Sequence, residues 1–336
     1  MSTTHTAIGY THNLPATDPE SLVARDVETP QPGPQDLLVD VRAVSVNPVD
    51  RKLRAGAPTD DFRVLGFDAA GTVRAVGDEV NLFAPGDDVF YAGTIDRPGT
   101  NQRFHLVDER IVGPKPASTS YADAASLPLT AITAWETLFD RFRLGESSTG
   151  TLLVVGATGG VGSILLQLAE ALLPGVRVIA TASDDERRAW VRDLGAEDTV
   201  NHHGDLAAEV LDLAPGGVDW LFTAHSEGQI ETYATIVRPF GEIVAIDDGP
   251  RDVEPLKPRS ITWHWELMFT RPTQQTPDMV EQHRMLTEIS RLTDAGKVRP
   301  TTTDRLSPIS PETLCEAHER IENNRTVGKI VLHDWA

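Results

Sequence analysis

The segment LLVVGATGGVGSILLQLA, Leu152–Ala169, constrains this chain most. An apolar strand pattern runs into Gly156, Gly159, Gly160 and Gly162, and an apolar helix pattern follows. Glycines let a backbone turn sharply and approach a pyrophosphate closely. A helix N-terminus adds free N–H groups and a partial positive charge. A glycine cluster alone would also suit an ordinary strand-to-helix turn, so the context decides. Thr151–Val155 reads as a strand and Val161–Leu173 as a helix stopped by Pro174-Gly175. Further alternation follows: strand Val176–Ala182, helix Asp184–Leu194, strand Asp198–Asn201, helix Leu206–Leu213, strand Val218–Thr223, helix Gln229–Val237 and strand Glu242–Ile246. Such alternation specifies an α/β domain with a doubly wound parallel sheet. Gly156, Thr158, Gly159, Gly160, Val161 and Gly162 are then the expected dinucleotide-binding residues.

The first third of the chain has a different rhythm. Leu37–Val46, Gly71–Val76 and Asp88–Tyr91 read as short strands separated by Pro32-Gly33-Pro34, Gly77-Asp78 and Pro85-Gly86-Asp87 turns. Helical spacing begins at Tyr121–Leu138, with a break expected at Pro128. Beyond Pro258, Pro277–Ala295 and Pro311–Asn323 read as helices and Gly328–His333 as a final strand. The length of 336 residues suits two domains.

Charge narrows the partners. With 30 Lys+Arg against 50 Asp+Glu, the net charge is −20, which disfavours nucleic acid and anionic membrane surfaces. The lone cysteine, Cys315, excludes an intramolecular disulfide and a cysteine-rich zinc site, and suits a reducing cytoplasm. Cys315 falls in a helical pattern and reads as a packing residue rather than a catalytic one. Met1–Pro15 has no basic-then-apolar leader pattern, so no signal peptide is expected.

The second strand of the α/β region addresses the choice of cofactor. An NAD site places an acid about 20 residues beyond the glycines, against the ribose 2′-OH. That position here is Thr181-Ala182-Ser183, with no carboxylate. Ser183 and Arg187, or Arg188, could instead meet a 2′-phosphate, so NADP is expected over NAD. Asp184 and Asp185 lie beside them and oppose that reading.

Taken in order, several segments resemble the medium-chain dehydrogenase/reductase superfamily, and within it the zinc-independent quinone oxidoreductase (zeta-crystallin-like) branch. They are SVNPVDRKLRAG (45–56), VLGFDAAGTVRAVGDEV (64–80), PGDDV (85–89), LPLTAITAWETL (127–138), the glycine loop, LGAEDTV (194–200) and PFGEIVAI (239–246). The C-terminal segments WHWELMF and Gly328-Lys329-Ile330-Val331 are similar to chains named zinc-type alcohol dehydrogenase-like. The resemblance implies a GroES-like β-rich catalytic domain from residues 1–126 and 267–336, and a Rossmann NADP-binding domain at 127–266. It also implies a homodimer.

Zinc-dependent relatives place a Cys after the first long strand and then Gly-His-Glu. Here those positions are Asn47-Pro48-Val49-Asp50 and Gly66-Phe67-Asp68. No structural cysteine lobe lies between Tyr91 and Phe104, and nothing in the spacing of Asp50, Asp68 and His105 supports a metal site.

Without a Lewis acid, reduction of a quinone, enal or enone asks less of the protein than alcohol oxidation does. The resemblance implies catalytic roles for Asn47, Lys52 and Thr133. Asn47 would bond the nicotinamide ribose or a substrate carbonyl, or else serve as a turn residue before Pro48. Lys52 stands where several relatives have tyrosine, and either polarises a carbonyl oxygen or is a solvated lysine. Thr133 would contact the carboxamide or pack in its helix. His202 would stack on adenine or be a plain loop residue. Arg325 and Lys329 would face the cofactor cleft or form surface salt bridges. The aromatic stretch Trp263–Phe269 would line a substrate cavity or a dimer surface.

Overall fold

The computed structural model describes residues 4–59, 61–323 and 326–336. From the N-terminus come β1 (Thr4–Tyr10), β2 (Val23–Glu28), β3 (Asp36–Ser45), α1 (Pro48–Gly56), β4 (Arg63–Val64) and β5 (Ala69–Val76). Next are β6 (Asp88–Tyr91), β7 (Phe104–Asp108), β8 (Val112–Pro114), α2 (Tyr121–Ala124) and α3 (Pro128–Trp135). Then follow β9 (Gly150–Val155), α4 (Gly160–Leu172), β10 (Val176–Thr181), α5 (Asp185–Asp193), β11 (Asp198–Val200) and α6 (Leu206–Leu213). The remainder comprises β12 (Val218–Thr223), α7 (Ile230–Ile236), β13 (Val237–Ala245), β14 (Thr262–Trp265), α8 (Thr270–Gln274), α9 (Glu281–Asp294), β15 (Thr302–Leu306), α10 (Pro311–Glu322) and β16 (Lys329–His333).

The chain divides into two compact units, residues 1–132 with 269–336, and residues 133–268. The first unit is β-rich. Among the described residues, a three-stranded sheet runs β2-β1-β4 and a seven-stranded one runs β15-β16-β3-β5-β6-β8, with β7 pairing to β3. Its centre is β3, whose Leu37, Val39, Val41, Ala43 and Val44 are fully buried. β16 lies antiparallel to β3 with Val331 opposite Ser45. Continuing that register brings Lys329 opposite Asn47, just past the end of β3. Pro48, which lacks the N–H that a first helical turn leaves unpaired, starts α1 there.

In the second unit β11-β10-β9-β12-β13-β14 form one sheet, and every pairing in it is parallel. From β9 the chain winds outward through β10 and β11, then returns to β12 on the other side. The reversal point lies between the C-terminal ends of β9 and β12, where Thr223 is opposite Val155. Leu153, Ile179, Leu221 and Ile243 from the strands pack with Val210, Tyr233 and Ile236 from α6 and α7 into a buried core. No helix among the described residues is long and apolar enough to cross a membrane.

The expected helix at 121–138 is interrupted. α2 ends at Ala124, α3 begins at Pro128, and a π-helical turn spans Glu136–Arg141. Pro239-Phe240-Gly241, which falls between the expected helix 229–237 and strand 242–246, lies inside the single strand β13. Phe240 has φ 65, and the pairing register with β12 shifts there. A bulge thus absorbs the extra residues without ending the strand.

Candidate active site

In open α/β sheets, ligands bind at the C-terminal strand ends where the winding reverses. The glycine loop occupies that place. Gly156 has φ 85, in the region that favours glycine. Its N–H donates to Thr181 Oγ1 at 3.0 Å, which ties the loop to the end of β10. A Cβ on Gly162 would lie 2.5 Å from both Ala157 Cα and Gly156 O, so the helix can enter only with glycine there. A Cβ on Gly159 would meet nothing nearer than Gly156 O at 3.5 Å. Gly159 is the N-cap of α4 and offers no capping side chain. The first N–H groups of α4, from Gly160, Val161 and Gly162, therefore end the helix free for an anion. Thr158 lies within the same loop.

The residues flanking this cradle are arranged less simply than the sequence suggests. Asp184 caps α5 by accepting from Arg187 N. Its Oδ2 also takes the Ser183 hydroxyl at 3.0 Å and the Arg187 guanidinium at 2.5 Å. Those bonds hold its carboxyl well below the usual range, at about 2. Ser183 and Arg187, both expected at a 2′-phosphate, are thus already engaged by one carboxylate. Arg188 pairs with Asp185. His202 is exposed just past β11, its ring 4.1 Å from that of His203. Partial desolvation, with the like charges of His203, His225 and Arg187, lowers its pKa.

Thr181, His203 and His225 carry no sequence motif, and sequence reasoning missed all three. His225 follows β12 at the reversal point, which the alternation of strands does reveal.

In the first unit, Asn47, Asp50, Asp68 and Lys329 form a buried charge cluster. All are at most 4% exposed. The Lys329 ammonium donates to Val46 O at 3.1 Å, to Asp68 Oδ2 at 3.0 Å and to Asn47 Oδ1. Asn47 Nδ2 donates to the same Asp68 oxygen at 2.8 Å, and Leu129 N–H satisfies the other at 2.8 Å. Asp50 accepts from Asn47 N at 2.8 Å and Gly66 N at 2.9 Å. Burial pushes Asp50 up to about 7, and pushes Asp68 up as well, with the Lys329 charge acting in opposition.

Lys329 departs here from the surface salt bridge expected of it, and Asn47 follows the turn alternative. Lys329 is an interior cation and presents no open charge to a ligand. Asn47 takes the turn-and-cap role, with both ends of its amide engaged by the cluster. Lys52 is exposed on α1, and Thr133 is buried in α3. Arg325 lies outside the described residues. Cys315 is half-buried, with Ser21 Oγ at 3.2 Å from its sulfur. In the aromatic stretch, Trp263 packs on the core of its unit, Trp265 and Leu267 are exposed beside the edge strand β14, and Phe269 is buried.

A glycine cradle at the reversal point of a parallel sheet, joined in one chain to a GroES-like β unit, defines a nicotinamide-dependent oxidoreductase. The alcohol dehydrogenase GroES-like domain family matches residues 33–134, and the zinc-binding dehydrogenase family matches residues 160–287. A zinc-type alcohol dehydrogenase-like protein of Staphylococcus aureus (strain MSSA476) is 42% identical over 311 residues, covering 90% of this chain and 92% of that protein. The 2-methylene-furan-3-one reductase of Solanum lycopersicum is 30% identical, covering 92% of this chain and 74% of that protein. A solved structure from Rhizobium etli CFN 42, provisionally described as a zinc-dependent alcohol dehydrogenase, is 47% identical with TM-score 0.95 and covers 99% of both chains. The Pseudomonas syringae pv. Tomato DC3000 quinone oxidoreductase is 26% identical with TM-score 0.84, covering 98% of this chain and 99% of that one. The chain belongs to the medium-chain dehydrogenase/reductase superfamily.

Several of those names imply zinc, and the residues present do not suit it. Zinc prefers thiolate and imidazole. The cluster offers an amide and two carboxylates, each carboxylate oxygen already holding an N–H or ammonium donor. A dication would also meet the Lys329 charge. Among the described residues, no group of three or more His, Cys, Asp or Glu could hold a metal ion.

Proposed function

We propose that this protein is an NADPH-dependent reductase that passes hydride to a quinone or another conjugated carbonyl acceptor without zinc. The observation that carries this reading is the Lys329–Asp68–Asn47 cluster, standing at the segments where the resemblance puts zinc ligands. The quinone oxidoreductase neighbour supports the substrate class.

Bound NADPH supplies the hydride. The glycine loop and the α4 N-terminus hold the pyrophosphate. Lys52 donates to the acceptor oxygen as negative charge develops there, and the proton that completes reduction arrives at that oxygen. Thr133 orients the carboxamide. Asn47 acts as a positioning residue, fixing the start of α1, which carries Lys52. A second copy pairs along β14, where Trp265 and Leu267 are exposed, and the lone cysteine suits a cytoplasmic setting.

A second reading, reduction of an enal or enone double bond, is favoured by the 2-methylene-furan-3-one reductase relative. The test is NADPH and NADH oxidation by chelator-treated protein against quinones, enals, enones and simple aldehydes. Chelation-insensitive turnover of a quinone or enal with NADPH supports the proposal, and the better acceptor separates the two readings. Turnover confined to aldehydes, lost on chelation and restored by zinc, overturns it. Tight NADPH binding without turnover replaces it with a non-catalytic redox sensor.

A further inference from the structure

Gly156 N–H bonds Thr181 Oγ1 at the end of β10, so the residues just past β10 flank the glycine loop. A residue at that flank meets the adenosine ribose of a dinucleotide held by the loop. Ser183 and Arg187, the side chains there that suit a 2′-phosphate, are both held by Asp184. Its Oδ2 accepts the Ser183 hydroxyl at 3.0 Å and the Arg187 guanidinium at 2.5 Å, and its Oδ1 accepts Arg187 N at 2.9 Å. We propose that Asp184 is the specificity-determining residue for the cofactor. It withholds Ser183 and Arg187 from a 2′-phosphate and accepts the 2′-hydroxyl of NADH, so NADPH keeps only a narrow advantage. This inference rests on the NADPH reading above and deepens it.

The donors and acceptors support that division. An ionised carboxylate offers about four lone-pair sites, shared between its two oxygens. Oδ2 already takes two donors and Oδ1 takes one, which leaves Oδ1 able to accept a hydroxyl. The Asp184 side chain is 44% exposed, so a ribose can reach it. A phosphate dianion brings only acceptors and further negative charge. To bind, it has to draw the guanidinium and the hydroxyl away from a charge-assisted partner that stays beside it. The next arginine on α5 is also engaged, since Arg188 pairs with Asp185 at 3.2 Å. The bonds from Arg187 hold the Asp184 carboxyl at about 2, so it is an anion throughout the neutral range.

The test is calorimetric titration of the full-length protein with 2′,5′-ADP and with 5′-AMP, which differ by the 2′-phosphate alone. It is run at about pH 7.5, where that phosphate is mostly dianionic. The wild type is expected to favour 2′,5′-ADP by less than about tenfold. Asp184→Asn and Asp184→Ser each keep a side chain able to cap α5 and remove its charge. Each should widen the advantage by about tenfold or more, with 2′,5′-ADP bound more tightly and 5′-AMP less tightly. Adding Arg187→Met to Asp184→Asn should return the advantage to the wild-type value or below. A larger wild-type advantage for 2′,5′-ADP, or one that both variants leave unchanged, overturns this inference and leaves the NADPH reading standing. A gain that survives Arg187→Met overturns it in the same way. Equal binding of the two nucleotides by the wild type and by both variants overturns this inference and the NADPH reading together.

Discussion

Replacing Lys329 with methionine isolates the cluster on which the zinc-free reading rests. The change keeps the unbranched stem of the side chain and removes the ammonium from Val46 O, Asn47 Oδ1 and Asp68 Oδ2. Asp68 is fully buried, and stranding a buried charge costs about 3–5 kcal/mol. Protonation sets a ceiling on that loss. From a reference near 3.9, neutralising a carboxylate costs about 1.4 kcal/mol per pH unit, so the ceiling is about 4 kcal/mol at pH 7 and about 2 kcal/mol at pH 5.5. Urea denaturation at both pH values reads the difference. Asp68→Asn with Lys329→Met should recover most of the loss, because the carboxamide oxygen that replaces the carboxylate still accepts from Leu129 N–H. A loss below about 1 kcal/mol, or one equal at both pH values, would refute the argument that the ammonium holds a charged Asp68.

Five further substitutions test the geometry. Gly162→Ala should destabilise the second unit and abolish nucleotide binding, because its Cβ meets backbone at 2.5 Å. Gly159→Ala should fold normally and lose affinity for NADPH alone, as thermal shift with and without nucleotide would reveal. Burial and the Arg54 charge push the fully buried His318 down to about 3, so its neutral form is demanded by the fold. The unfolded chain binds a proton below about pH 6.5 that the folded one refuses, so stability is lost as pH falls, by about 2 kcal/mol at pH 5. His318→Gln, which can still accept from Arg54 Nε, should flatten that acid arm in urea titrations at pH 7 and pH 5. Lys52→Met should lower kcat by about tenfold or more with NADPH affinity unchanged, separating donation to the acceptor from cofactor binding. Trp265→Glu should shift the protein toward monomer in sedimentation, with the fold intact, since that side chain is half exposed.

The sequence revealed most of the α/β unit, since many strand and helix ends there fall at Gly, Pro or a capping Asp such as Asp184 and Asp205. It failed where pairing is distant. β1 and β2 carry polar residues such as Thr4, Asp26 and Glu28 and are specified by each other across the chain. β14 is short and rich in Trp, and it becomes a strand by lying beside β13. The loop glycines were legible because their role is conformational and local. The bond between Asn47 and Lys329 was not legible because it spans 282 positions, and its register depends on β3 pairing with β16. His225 was missed because nothing in sequence marks an imidazole that comes to lie beside Gly156. Asp184 was seen, but not that one carboxylate could engage two neighbours at once.

The buried ammonium also bears on how this chain could be redesigned. Asn47→Cys and Phe67→His would restore ligand types at the positions the resemblance points to, yet an incoming dication would still have to settle beside a fixed cation. A metal-dependent variant would need the lysine removed first, and that intermediate carries the stranded Asp68. The route from one chemistry to the other therefore crosses a less stable protein, so the present charge arrangement is guarded by the order in which substitutions would have to occur.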